Sequence, residues 1–398
     1  MKTNLLLLFL VLPIIAFSQP EYKTVESKIL RQKRDIKIQL PRNYNSNSEK
    51  TYPVIYVLDG DYLFEPVAGN VDYFSYWEDM PEAIVVGINQ IGAREGDTSY
   101  DQSNYFPVDG GADFFEFLGM ELMPLIDEQY RTARFSIAIG HDITANFINY
   151  YLFKENPLFK GYINLSPDYA PEMHDRIFNA LEFSEQKLWY YTATGSQDIE
   201  ELHSDITTFN NQMKELSNEL VHYYYNDFKG QNHYNLVGKA IPSALEKMFA
   251  IYRPITQYDY QQLIEDEETT EYFQYLEDKY EQIEELYELE INVRTNDILA
   301  ISNAIIAKEK WDQLKDLAKA SQWQEYDMID LGSTERIYIH KISQAPSFSH
   351  LIFVDLVNAC MQKFRTSTLL PSQNELTYKF INCGTLKPLF YEAESLKK

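Results

Sequence analysis

The sequence predicts an α/β fold with a mostly parallel central sheet, helices on both its faces, and a small helical region after it. Three observations carry this. Short β-rich runs alternate with helical stretches from Tyr22 to about Tyr252. Several of those runs, VIYVL and AIVVGI among them, are continuously apolar, as strands covered on both faces must be. Beyond Pro254 the strand signals stop and helix formers take over.

Taken in order, the chain opens with a targeting signal. Lys2 gives a positive start, Leu5 to Ile15 form an apolar run, and Ala16 and Ser18 are small residues suited to cleavage. This predicts a signal peptide over residues 1–18, removed before Gln19, and an exported protein, periplasmic or extracellular. The run is too short to span a bilayer, and no later segment is apolar enough to act as a transmembrane anchor. Strands are expected at Asp35–Leu40, Val54–Leu58, Ala83–Ile88, Phe135–Ile139, Gly161–Leu165, Leu188–Ala193 and His222–Tyr225. Helices are expected at Ala112–Gln129, Ala145–Phe153, Ile199–Leu216 and Pro242–Ala250. The alternation places the functional loops at the carboxyl ends of the strands. One domain therefore covers 19–254, and a helical region, readable as a degenerate repeat, covers 255–398.

In that second region an acidic stretch from Glu265 to Glu290 carries Leu276, Ile283, Leu286 and Leu289 at near-helical spacing, which reads as a solvated helix face. Asp297–Ala307 and Lys310–Ala320 read as an antiparallel helix pair that could dock on the first domain or recruit a protein partner. The two cysteines, Cys360 and Cys383, could pair in an exported compartment or remain as thiols; the sequence leaves both open. A formal net charge of −25 argues against nucleic acid as a partner. Asp59 and Asp61 suggest a metal, yet no matching ligand cluster accompanies them, so neither metal nor cofactor is expected.

The chemistry concentrates after the strand Phe135–Ile139. There Gly140-His141-Asp142-Ile143-Thr144-Ala145 leads straight into an apolar helical stretch. A strand, a tight turn and a helix form the setting of a nucleophile elbow, whose apex residue points into the active site. Gly140 fills the first glycine of G-x-S-x-G, but the next two places read Asp142 and Thr144.

From GGADFF to NLSPDY the chain resembles the Putative esterase family of α/β-hydrolases, which includes siderophore-ester hydrolases, formylglutathione hydrolases and mycolyltransferases. YPVIYVLDGDYLF is similar to the family's strand and oxyanion loop, and MPEAIVVGI to its next strand. YTATGSQD is similar to the segment bearing the catalytic acid, and GQNHYNLVGKAIPSALEKMF to the one bearing the histidine. The resemblance spans roughly residues 22 to 252. It implies an α/β-hydrolase fold with Asp142 at the nucleophile position, Asp198 at the acid position and His233 at the base position. It further implies an oxyanion hole from the amides of Asp61 and Ile143, and His141 as a packed supporting residue. By the same likeness Ser166-Pro167 is a rim turn. The Tyr-rich run Asp72–Trp77 lines a cleft or packs in the core.

Aspartate at the apex changes the expected function. A carboxylate attacking an ester would form an anhydride, which lies uphill of the ester. Its negative charge would also attract His233 and weaken that residue as a base. The expectation is a catalytically impaired hydrolase that binds a small ester or acyl ligand, or acts as a scaffold. Two alternatives stay open: an active ester hydrolase or acyl transferase that uses the His233/Asp198 framework, and an Asp142-nucleophile hydrolase of epoxides or alkyl halides.

Overall fold

The computed structural model describes residues 20–310 apart from 267, 268 and 290, with residues 313, 316 and 317 and the backbone of two short strands at Ile329–Asp330 and Arg336–Ile337. The proposed signal sequence, Cys360, Cys383 and most of the expected helix Lys310–Ala320 lie outside the described residues. The chain divides into two compact units. One runs to Arg253 and takes in Gln282–Glu290; the other comprises Pro254–Glu281 and the chain from Ile291.

The first unit is built on eight strands: β1 Glu21–Ser27, β2 Gln32–Gln39, β3 Tyr52–Val57, β4 Ile84–Ile88, β5 Thr132–His141, β6 Gly161–Leu165, β7 Leu188–Gln197 and β8 Val221–Asn232. They lie in the order β1-β2-β4-β3-β5-β6-β7-β8. β2 is antiparallel to both neighbours, and the six strands from β4 to β8 run parallel. This is a mostly parallel α/β-hydrolase sheet. β3, β4 and β6 are buried at every position, which is why they read as unbroken apolar runs. The edge strand β1, EYKTVES, is largely exposed and charged, a composition that discourages pairing with another chain.

The helices of this unit are α1 Phe64–Tyr76, α2 Arg94–Asp97, α3 Gly110–Glu116, α4 Met123–Gln129, α5 Ile143–Ile148, α6 Met173–Glu182, α7 Glu200–Met213 and α8 Val237–Met248. The single helix expected over 112–129 is α3 and α4 joined by a π-helical turn at Phe117–Leu122, and the one expected at 145–153 is α5 with a 3-10 turn after it. α8 starts five residues earlier than expected and holds Pro242 inside it rather than at its start. Tyr73, Tyr76 and Trp77 on and just past α1 are each 60% exposed, so core packing does not explain that run.

The second unit contains α9 Gln257–Glu265, the first part of α10 Tyr272–Tyr287, and α11 Thr295–Ala307. A capping box of Thr256 and Asp259 opens α9. Its core gathers Ile255, Leu263, Tyr272, Leu276, Ile298, Ile301 and Ile305. Buried Asp297 fixes the turn before α9: it accepts from the Ile255 amide at 2.6 Å, Lys279 Nζ at 3.0 Å and Tyr280 Oη at 2.9 Å. Glu277, Asp278, Glu281, Glu284 and Glu285 of α10 are exposed, as a solvated face requires. No helix among the described residues is long and apolar enough to cross a membrane.

Candidate active site

The carboxyl ends of β3 to β8 bring the candidate residues together. β5 ends at His141 and α5 begins at Ile143, so Asp142 alone makes the turn, with φ 60° and ψ −126°. That is a strained backbone for a residue with a Cβ, and such strain concentrates where a side chain must be presented. Gly140 makes the turn sterically possible: a Cβ there would lie 2.5 Å from the backbone C and O of Thr144. The Asp142 amide donates to Leu165 O at 3.0 Å, and its carbonyl accepts from Asn146 and Asp168, which ties the apex to β6 and α5.

Asp198 and His233 follow β7 and β8 and meet at 3.0 Å through His233 Nδ1 and Asp198 Oδ1. Both side chains are buried. Asp198 also accepts from Ser166 Oγ at 2.7 Å, Thr194 Oγ1 at 2.9 Å and the Ile199 amide at 2.9 Å. Burial works to raise its pKa, but hydrogen bonds from His233, Ser166, Ile199 and Thr194 outweigh it and hold the carboxyl down at about 2. An ionised carboxylate against Nδ1 keeps the ring proton there, which leaves the Nε2 lone pair as the basic atom.

Ser166 is not the rim turn the sequence suggested. It is fully buried at the end of β6, with φ 43°, and its Oγ lies 2.9 Å from His233 Nδ1 as well as against Asp198. Its hydroxyl therefore donates to the carboxylate and accepts from the ring N–H. It sits on the acid side of the imidazole, away from Nε2, and is closed to solvent. This serine supports the acid–base pair and is no replacement nucleophile.

The carboxylate of Asp142 turns to a residue that sequence reasoning missed. Its Oδ2 accepts from Arg94 Nη1 at 3.1 Å, and among the described residues no hydrogen bond joins it to His233. The expected attraction between Asp142 and His233 is thus replaced by an ion pair with Arg94. Arg94 also donates from Nε and Nη2 to Asp59 at 2.8 and 3.2 Å, and from Nη2 to His141 O at 2.9 Å. Burial opposes its charge, but the two carboxylates and Tyr62 more than compensate and raise its pKa. The sequence did hold a signal, since Arg94 is the one Lys or Arg between Lys50 and Arg131.

Asp59 is the hub of this network and is 1% exposed. Besides Arg94 it accepts from Thr144 Oγ1 at 2.7 Å and lies 3.0 Å from Tyr62 Oη. Thr144 Oγ1 accepts in turn from the His141 amide at 2.9 Å, so Thr144 braces the turn it stands in. His141 is packed between Tyr62 Oη, 2.9 Å from Nδ1, and His233 O, 3.0 Å from Nε2. Burial and the nearby His233 ring lower its pKa. A neutral ring donates from Nε2 to that carbonyl, and the one Tyr62 hydroxyl proton is shared between its Nδ1 and the Asp59 carboxylate.

The amides of Asp61 and Ile143 stand at the ends of the adjacent parallel strands β3 and β5. Among the described residues neither has an acceptor, and Ile143 is the first residue of a helix, where orphan N–H groups are the rule. The Asp61 carboxylate is engaged by the amides of Gln90 and Ile91 at 2.7 and 2.9 Å.

Comparison with known proteins agrees with this architecture. Among solved structures, an uncharacterised protein from Capnocytophaga ochracea shares 27% identity at a TM-score of 0.71, covering 86% of this chain and 90% of that one. An IroE-like serine hydrolase from Shewanella oneidensis shares 18% identity at a TM-score of 0.57, covering 76% of this chain and 99% of its own. The BES protein from Bacillus cereus shares 19% identity at a TM-score of 0.51, covering 63% and 98%. No curated protein matches the chain. Residues 27–248 match the family described as Putative esterase, and that match covers more than half of the sequence. With the sheet order, the turn at Asp142 and the Asp198–His233 pair in place, the chain belongs to the Putative esterase family of α/β-hydrolases.

Proposed function

We propose that this protein is an exported esterase-fold binding protein, whose cleft accepts a small ester or acyl ligand and leaves it intact. The observation that carries this reading is the ion pair between Asp142 and Arg94 at the turn where a hydrolase presents its attacking group. A serine hydroxyl becomes a nucleophile when a histidine takes its proton as the new bond forms. Asp142 has no such proton to give, and its attack on an ester would yield an anhydride. Pairing with Arg94 also stabilises the carboxylate in its ground state, which weakens it against epoxides or alkyl halides too. The Asp198–His233 pair and the two amides remain as a frame that can orient an ester.

The test is hydrolysis of p-nitrophenyl acetate and butyrate by the purified chain, with and without Asp142→Ser. The native protein is expected to show no enzymatic turnover and no labelling by a fluorophosphonate probe; Asp142→Ser should gain both. Robust turnover by the native chain that disappears in His233→Ala overturns the proposal. Export rests on the sequence of residues 1–18, and fractionation of expressing cells checks it. A role for the C-terminal helical region in recruiting a protein partner is part of the same proposal; pull-downs with and without residues 255–398 address it.

A further inference from the structure

Arg94 has five N–H groups, and four of its hydrogen bonds lead to fixed acceptors: two to Asp59, one to His141 O and one to Asp142. A guanidinium held this way is a preorganised partner for a carboxylate, because its orientation is set before any anion arrives. Its acceptors differ in kind. Asp59 is buried and also bound by Thr144, and His141 O is backbone within the sheet. The Asp142 carboxylate alone combines 23% exposure with a side chain that, among the described residues, makes no hydrogen bond except to Arg94.

We propose that Arg94 is a carboxylate receptor whose resident anion is Asp142, so that the native cleft turns away free acids and admits uncharged ligands. Asp59, Arg94 and Asp142 together leave one net negative charge at the turn, which repels an incoming anion. The field reaches further: Asp168, whose amide bonds Asp142 O, has its carboxyl pKa raised by burial and by the charges of Asp142 and Asp205. Resting on the reading that this cleft binds, the proposal names what enters: a neutral ester or amide in preference to the acid.

Removing the resident anion should open the receptor. Glycine suits residue 142, since φ 60° costs it nothing. The full chain and its Asp142→Gly variant are titrated with sodium acetate and with acetamide at constant ionic strength, by calorimetry and by NMR of the arginine side-chain N–H groups. The expected result is acetate binding in Asp142→Gly with movement of the Arg94 signals, no response to acetate in the native chain, and no movement of the Arg94 signals by acetamide in either. Adding Arg94→Gln should weaken acetate binding by about tenfold or more; should that double variant fail to fold, the Arg94 signals of Asp142→Gly still decide. Equal acetate binding by native and variant proteins, or binding without movement of Arg94, overturns the proposal. Ester turnover by the native chain would sink the binding reading yet leave this titration intact, so the two failures are distinguishable.

Discussion

Replacing Thr144 by valine should damage the candidate site more than its conservative shape suggests. Valine keeps the volume and branching of threonine, so no cavity opens in a fully buried position. What disappears is one hydroxyl with two duties. The buried His141 amide loses its acceptor at 2.9 Å, and Asp59 loses a donor at 2.7 Å. An amide left unsatisfied in the interior costs about 1–3 kcal/mol, and a hydrogen bond to a charged group contributes about 1.5–3 kcal/mol. Asp59 keeps Arg94, which softens the second loss. The two together give about 2–4 kcal/mol. Thr144→Ser is the control: it keeps the hydroxyl and gives up one methyl, worth about 1 kcal/mol. Urea denaturation of both variants, followed by far-UV circular dichroism, measures the difference. A serine variant as damaged as the valine one, or a valine loss below about 1 kcal/mol, would show that packing and not the hydroxyl holds this turn.

The same bonds imply that restoring the family's glycine is counterproductive: Asp142→Ser should hydrolyse p-nitrophenyl butyrate better alone than combined with Thr144→Gly, which drops both bonds and adds about 1 kcal/mol of glycine cost in a helix. Asp198, with its pKa held below the ordinary aspartate value at about 2, contributes stability that is complete above about pH 4 and fades as pH falls towards 2. The advantage of the native chain over Asp198→Asn, about 2 kcal/mol by linkage, should therefore be flat at neutral pH and shrink across that acid window in denaturation curves. Arg34 and Asp97 form a buried bidentate pair at 2.6 and 2.8 Å, so Arg34→Met should cost about 3–5 kcal/mol by leaving a buried charge unpaired. Arg34→Met/Asp97→Leu should recover most of that loss in the same measurement.

What could be read in advance divides along a physical line. Interior strands bury both faces, so β3, β4 and β6 announce themselves as apolar runs, and the β5–turn–α5 unit follows from local sequence alone. The edge strand β1 obeys no such constraint and reads as charged loop. α1 was hidden by Pro66 and Gly69 within FEPVAGNVDYFSY, residues that usually interrupt helices. At the site, Asp142, Asp198 and His233 were read from motifs at strand ends, and in the fold they follow the carboxyl ends of β5, β7 and β8. Arg94 was not found, because its partners lie 35 and 48 positions away and no periodicity links them.

Two hydroxyl residues show why the distinction matters for function. From the sequence, Thr144 stands where the resemblance places a glycine, and Ser166 reads as a rim turn. In the fold each hydroxyl is buried against a carboxylate, Thr144 on Asp59 and Ser166 on Asp198. Asp142 belongs in the same account. Set near the buried Asp59 without a cation, its charge would be repelled and poorly solvated. Arg94 lies between the two and offsets both. A site that had merely lost its serine would owe its new residue no such counter-charge. The surroundings of residue 142 supply the counter-charge an aspartate needs, and the proposed binding role rests on that pairing.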